Sequence, residues 1–124
     1  MTIKVLAIDD SRTIRHLLTV ALGEAGFDVQ TAEDGVLGID AFQDAEADVV
    51  ITDINMPNMD GFGVINAIRA GDVNNRVPIL VLTTESGDDL KARARDAGAT
   101  GWIVKPFDDV SLISALKRVT GATV

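Results

Sequence analysis

From Ile3 to the end of the chain, short apolar runs alternate with longer segments of helical period, and five such pairs can be counted. Few folds accept that order. The runs are Ile3–Ile8, Val29–Ala32, Val49–Thr52, Ile79–Thr83 and Trp102–Val104, most of them rich in Val and Ile without a polar residue at every second position. Continuous apolar strands of this kind suit a sheet covered on both faces. Strand and helix in strict alternation, joined by right-handed crossovers, give a doubly wound five-stranded parallel sheet of the α/β class, (βα)5. The 124 residues suit one domain, 1–124, and 47% hydrophobic with 24% charged residues is the composition of a folded chain.

The helical faces can be traced between the runs. Ile14, Leu17, Leu18, Ala21 and Leu22 fall at i, i+3, i+4, i+7 and i+8, which makes one stripe, and Gly26 offers a stop. Asp34-Gly35 opens a segment with Val36, Ile39 and Phe42 on one face, and Asp60 is placed to cap a helix carrying Phe62, Ile65 and Ile68. Ser86 to Ala97 has small residues, charges that include Lys91, Arg93, Arg95 and Asp96, and a weak stripe, so it should be the most exposed helix. A last helix from about Asp108 turns Leu112, Ile113, Leu116 and Val119 inward. No repeat, low-complexity tract or linker interrupts the series.

Charge and composition then exclude several classes of function. Eleven Lys and Arg against 19 Asp and Glu leave a formal charge of −8. A phosphate backbone is repelled by such a surface, so nucleic acid is a poor partner, while cations and basic partners are favoured. The absence of cysteine removes disulfides, thiolate nucleophiles, iron–sulfur clusters and Cys-type zinc sites. His16 is the single histidine and lies opposite the apolar stripe of its helix, where it reads as a surface residue. No apolar run approaches the roughly 18 residues that span a bilayer, and Ile3–Ile8 is too short for a signal-peptide core. A cytoplasmic protein without membrane attachment is expected.

In a doubly wound sheet the binding crevice lies at the carboxyl ends of the strands, where the strand order reverses. The first run ends in Asp9-Asp10, the third in Asp53, the fourth in Thr83-Thr84 and the fifth in Lys105-Pro106. If the first and third strands are neighbours, three carboxylates converge with a hydroxyl and an ammonium beside them. Such a cluster calls for a divalent cation, and oxygen-only ligands favour Mg2+ or Mn2+ over zinc. A carboxylate can also accept a phosphoryl group. Phosphoryl transfer asks for a metal on one side, a fixed cation on another and a donor for the remaining oxygen. Asp53 as nucleophile, Asp9 and Asp10 on the metal, Lys105 as the cation and Thr83 as hydroxyl donor fill those roles.

The same residues closely resemble the receiver domain of two-component response regulators, from Ile3 to about Val119. The marks are Ile8-Asp9-Asp10-Ser11, Thr52-Asp53-Ile54-Asn55-Met56-Pro57 with Met59-Asp60-Gly61, Leu82-Thr83-Thr84, and Lys105-Pro106-Phe107. Four motifs in order at strand ends are a specific signal. The resemblance implies a flavodoxin-like fold with strand order 2-1-3-4-5, and phosphoryl transfer from a phosphohistidine of a sensor histidine kinase to Asp53. It implies that the Asp10 and Asp53 carboxylates and the Asn55 backbone carbonyl bind Mg2+ directly, with Asp9 acting through water. It further implies that Lys105 contacts the phosphoryl group and that its peptide bond to Pro106 is cis. Thr83 and Trp102 match the hydroxyl and aromatic positions of the switch, and Asn55 and Glu85 flank the attacking water and tune self-dephosphorylation. The family more often has Tyr or Phe at the position of Trp102.

The chain length and the segments Asn55–Gly61, Glu33-Asp34-Gly35 and Gly98–Trp102 point to the stand-alone chemotaxis branch (CheY type). Its output is then a partner, expected to be the flagellar motor switch, bound by the fourth helix, fifth strand and fifth helix of a monomer. A phosphatase partner, a phosphate sink and a phosphorelay shuttle stay open. A Mg2+-dependent phosphatase of the haloacid-dehalogenase type is disfavoured, since Asp53-Ile54-Asn55 lacks the second carboxylate of Asp-x-Asp. An FMN carrier lacks its hydroxyl-rich phosphate loop and its aromatics. Taken singly, the residues have plainer readings: Asp9 or Asp10 as a helix cap, Asp53 as a turn aspartate, Lys105 as a surface turn residue, Thr83 as a β-branched strand end. Trp102 can be a packing residue and a switch residue together, and Lys91, Arg93 and Arg95 either a solvated face or a partner-orienting one.

Overall fold

The computed structural model describes residues 2–121. Five strands and five helices alternate: β1 (Lys4–Ile8), α1 (Arg12–Glu24), β2 (Asp28–Ala32), α2 (Gly35–Ala45), β3 (Val49–Thr52), α3 (Gly61–Ala70), β4 (Ile79–Thr83), α4 (Asp88–Ala97), β5 (Gly101–Val104) and α5 (Asp109–Thr120). The sheet is parallel throughout, in the order β2-β1-β3-β4-β5. Its three central strands are buried along nearly their whole length, which is why they read as unbroken apolar runs. One core layer, with Phe42, Ile65, Ile68, Ile8 and Val81, lies under α2, α3 and α4. The other, with Leu18, Leu22, Ile51, Leu82, Leu112 and Leu116, lies under α1 and α5. Among the described residues, no helix is long and apolar enough to cross a membrane.

Both edges depart from the expectation of a fully covered sheet. In β2 only Ala32 is buried and in β5 no residue is, in keeping with an edge strand's having a neighbour on one side only. Two residues assigned to buried stripes are exposed as well: Leu17, at 47%, and Val36, at 48%. In α1 the contact narrows to Leu18 and Leu22, and in α2 Gly35, Gly38 and Phe42 form the buried face. Gly38 belongs there because a side chain would run into Ile8.

Four helices start on a side-chain cap. Ser11, Asp34, Asp60 and Asp108 accept the backbone N–H groups of Ile14, Leu37, Gly63 and Ser111, satisfying donors that a first turn leaves open. The cap of α1 is thus Ser11, leaving Asp9 and Asp10 free for other work. α4 is the exception: it begins at Gly87 with no side-chain cap and buries only Ala94, in keeping with its weak stripe. What holds its far end is Arg69 of α3, whose Nε and Nη2 both donate to the Gly98 carbonyl, at 3.0 and 2.8 Å.

Candidate functional site

The register of the sheet brings the site together. Ile8 pairs with Thr52 across β1 and β3, so the next residue of each strand, Asp9 and Asp53, emerges side by side at the carboxyl edge. Both are buried, although each carries a carboxylate. Each is held by its own loop. Asp9 Oδ1 accepts the Ser11 N–H at 2.9 Å, and Asp53 Oδ1 accepts the Ile54 N–H at 2.6 Å. Arg15, one turn into α1, donates to the Asp9 carbonyl at 2.8 Å and fixes the backbone at the end of β1. At Gly61 any side chain would overlap the Asp53 carbonyl oxygen, so α3 can begin close against the strand only with glycine there.

Lys105 completes the pocket from two strands away. Thr83 pairs with Val104, and the Lys105 N–H donates to the Thr83 carbonyl at 2.7 Å, which sets the lysine at the tip of β5. Its side chain passes the end of β4 and its Nζ donates to Asp9 Oδ2 at 2.7 Å and to Asp53 Oδ2 at 3.0 Å. Burial alone would lower the pKa of this ammonium, but the hydrogen bonds and charges of the two carboxylates outweigh it and the net direction is upward. For Asp9 burial is the largest influence and raises its carboxyl above the usual range, against the opposing pull of Lys105 and the Ser11 amide. The Lys105–Pro106 bond is cis.

Asp10 is exposed at the mouth, yet one oxygen from each of Asp9, Asp10 and Asp53 lies within 4.8 Å of the others. Three hard oxygen donors at that spacing, open to solvent on the Asp10 side, fit a Mg2+ or Mn2+ ion that keeps part of its water. The one nearby ammonium leaves this group of three carboxylates short of positive charge.

The remaining residues singled out in the sequence gather around Glu85, next to the pocket. The Thr83 hydroxyl oxygen accepts the Glu85 N–H at 3.3 Å, so the Thr83 side chain is tied to the β4–α4 loop. Asn55 Nδ2 donates to Glu85 Oε1 at 3.2 Å. Trp102 Nε1 donates to the Glu85 carbonyl at 3.0 Å, and its ring, half-buried, packs on the α2–α3–α4 core layer. His16 is exposed. Sequence reasoning missed Asp34. Buried at the start of α2, it accepts from Asn58 Nδ2 at 2.8 Å and so touches the loop that follows Asp53. The Asp-Gly pair marks a helix cap, but no local signal joins it to a residue 24 positions on.

Fold and pocket together define a doubly wound α/β protein with an acidic site at its carboxyl edge. The chain belongs to the response regulator receiver domain family, which matches residues 5–117. It is 34% identical over 117 residues to chemotaxis protein CheY-3 of Vibrio cholerae, covering 94% of this chain and 90% of that protein. It is 38% identical over 123 residues to transcriptional regulatory protein PrrA of Mycobacterium leprae, covering 97% of this chain and 52% of PrrA. A solved structure of Vibrio cholerae chemotaxis protein CheY4, 44% identical, matches with a TM-score of 0.92 over 96% of this chain and 99% of that one. Receiver domains are signalling proteins of two-component systems: they accept a phosphoryl group, bind Mg2+ at an acidic pocket and work with a histidine kinase and a downstream target.

Proposed function

We propose that the chain is a phosphorylation-activated cytoplasmic regulator of the chemotaxis type, acting as a monomer through its own surface. The observation that carries this reading is the Lys105 ammonium spanning Asp9 and Asp53, at 2.7 and 3.0 Å. A fixed cation at that point faces the oxygens of any group built on Asp53. The Asp53 carboxylate attacks the phosphorus of a kinase phosphohistidine, the P–N bond breaks and its electron pair returns to the imidazole. Asp10, Asp53 and the Asn55 carbonyl would hold Mg2+ (Mn2+ fits the same donors), with Asp9 reaching it through water. The ion supplies neutralisation of the phosphoryl oxygens.

Thr83 and Trp102 carry the response. Both bond to Glu85, so a Thr83 hydroxyl drawn toward the phosphoryl group releases the Glu85 amide and shifts the loop on which the Trp102 indole rests. Asn55 and Glu85, joined to each other at the pocket rim, control access of the attacking water in self-dephosphorylation. The likeness to the chemotaxis proteins CheY-3 and CheY4 supports a role in chemotaxis, for which the proposed downstream partner is a flagellar motor switch, with a phosphatase as a second one. A phosphate sink or relay shuttle, which uses the same pocket without a motor partner, is the competing reading.

With Mg2+ and a small acyl phosphate, the wild-type protein should gain one phosphoryl group in intact mass and change its Trp102 emission. Asp53→Asn should gain none, and uptake by that variant at the wild-type rate would overturn the assignment of Asp53. Retention by a flagellar motor switch protein only after phosphorylation supports the chemotaxis reading. Rapid return of the group to the kinase without any other partner supports a sink.

A further inference from the structure

We infer that Asp34 is a positioning residue for the metal end of the pocket, acting through Asn58. The inference rests on the reading above, in which the Asn55 carbonyl is a Mg2+ ligand.

The loop from Asn55 to Asp60 has little to hold it by burial: Asn55, Pro57, Asn58 and Asp60 are exposed, and only Met56 and Met59 reach the core layer. Its base is closed by the Gly61 N–H bonding to the Ile54 carbonyl at 2.9 Å, and its tip is a tight turn in which the Met59 N–H meets the Pro57 carbonyl at 2.7 Å. Asn58 sits in that turn with φ +69°, a left-handed conformation that Asn tolerates better than most residues. One side-chain bond ties the tip to the rest of the molecule, from Asn58 Nδ2 to Asp34 Oδ2 at 2.8 Å.

Asp34 is well placed to anchor it. Its other oxygen accepts the Leu37 N–H at 2.8 Å, so the carboxylate is fixed to the start of α2 while it holds the loop. Gly35 brings the two segments together, since a side chain there would overlap the Met59 carbonyl oxygen. A metal ligand supplied by a backbone carbonyl cannot be reoriented by rotating a side chain. Its aim depends on the loop, which is held at its ends by β3 and α3, at its start by the Asn55–Glu85 bond, along its length by Met56 and Met59, and at its tip by Asp34. Outer contacts that orient a ligand typically govern metal affinity nearly as much as the ligands do.

The pair allows a test that separates positioning from folding. Asp34→Ser keeps an oxygen for the Leu37 N–H, and Ser caps a helix about as well as Asp, but its single short hydroxyl cannot also reach the Asn58 amide. Asn58→Gly removes the donor from the other side and accepts the left-handed backbone. The exchange Asp34→Asn with Asn58→Asp restores one donor facing one acceptor. By isothermal titration with MgCl2, each single variant should bind Mg2+ about tenfold more weakly, the low end of the cost of losing an outer contact. Phosphoryl uptake at limiting Mg2+ should slow in parallel, the unfolding midpoint of Asp34→Ser should stay close to wild type, and the exchange should return affinity and uptake toward wild type. Wild-type affinity in both single variants, or no recovery in the exchange, overturns the inference while leaving Asp53 as the acceptor. A wild-type protein that neither binds Mg2+ nor takes up phosphoryl overturns the underlying reading and the inference with it.

Discussion

The strand-end pocket and the α4–β5 edge lie next to each other, yet they are built on opposite terms. Asp9, Asp53 and Thr83 are buried at the tips of the central strands, and every polar atom that fixes the carboxylates comes from a short local loop or from Lys105. α4 lacks a side-chain cap and buries one residue, and β5 buries none. Phosphoryl chemistry needs groups held in place before the reaction begins. A response needs a neighbouring element whose second arrangement costs little, and such elements come from the weakly held end of a structure. In the function proposed above, the central strands serve the chemistry and this edge the motion.

Amide hydrogen exchange puts the largest number on this contrast. Amides of β3 and β4 should exchange only by global unfolding, and those of α4 by local opening, on the order of a hundredfold faster or more. Equal protection in the two regions would break the comparison. At the pocket, Lys105→Met leaves Asp9 and Asp53 facing each other without their cation. Urea unfolding should show a loss of about 2–3 kcal/mol, somewhat less than for a fully enclosed pair because the pocket opens beside Asp10. Millimolar Mg2+ should return part of that stability by binding the folded state. A variant as stable as wild type without Mg2+ would mean that the lysine does not hold this region together.

The sequence carried the pocket further than it carried the edges, and the reason is physical. A central parallel strand is buried on both faces, so it leaves an unbroken apolar run whose last residue is visible: Asp9 and Asp53 could be found by reading where Ile8 and Thr52 stop. The order of the sheet, by contrast, came from family likeness, since no run says which strand is its neighbour. Leu17 and Val36 were placed inward because periodicity marks an apolar face without saying how wide the covering surface is. The contacts that reach across the chain left no trace at all. Arg69 looks like an ordinary end-of-helix cation until its guanidinium is seen on the Gly98 carbonyl, and Asp34 looks only like a cap.

Two substitutions on the α4 side sharpen the contrast at smaller scale. The Arg69 guanidinium forks onto Gly98 and donates through Nη1 to the Asn75 carbonyl at 2.8 Å; burial lowers its pKa from the usual arginine value. Arg69→Lys cannot reproduce that fork and should cost about 1.5–2 kcal/mol, with faster exchange in α4 than in β3. Exchange that rises equally everywhere would show that Arg69 supports the whole domain and not this edge. Arg93 lies over the Phe62 ring, 3.9 Å from its centroid, and adds a link between α3 and α4. Being exposed, it should contribute only about 0.5–1 kcal/mol, and a double-mutant cycle of Arg93→Ala with Phe62→Leu should return a coupling within that range.

The smallest effect returns to the pocket side and depends on pH. Asp34 accepts the Leu37 amide and the Asn58 side-chain amide, and these bonds hold its carboxyl below the usual range against a weaker opposing effect of burial. In the unfolded chain the same group titrates near the ordinary value of about 3.9. Between the folded and unfolded values the unfolded chain carries a proton that the folded one lacks, so stability rises with pH across that window. The contribution is complete above the unfolded value and is lost as pH falls through the folded one. Asp34→Asn has no such proton to lose. The stability difference between wild type and variant, taken from urea midpoints at a series of pH values, should therefore be constant above about pH 5 and shrink on acidification. A difference that stays flat down to strongly acid pH would mean that the Leu37 and Asn58 bonds do not favour the ionised carboxylate. The tie between α2 and the loop after Asp53 would then be no firmer than the contacts at the α4 edge.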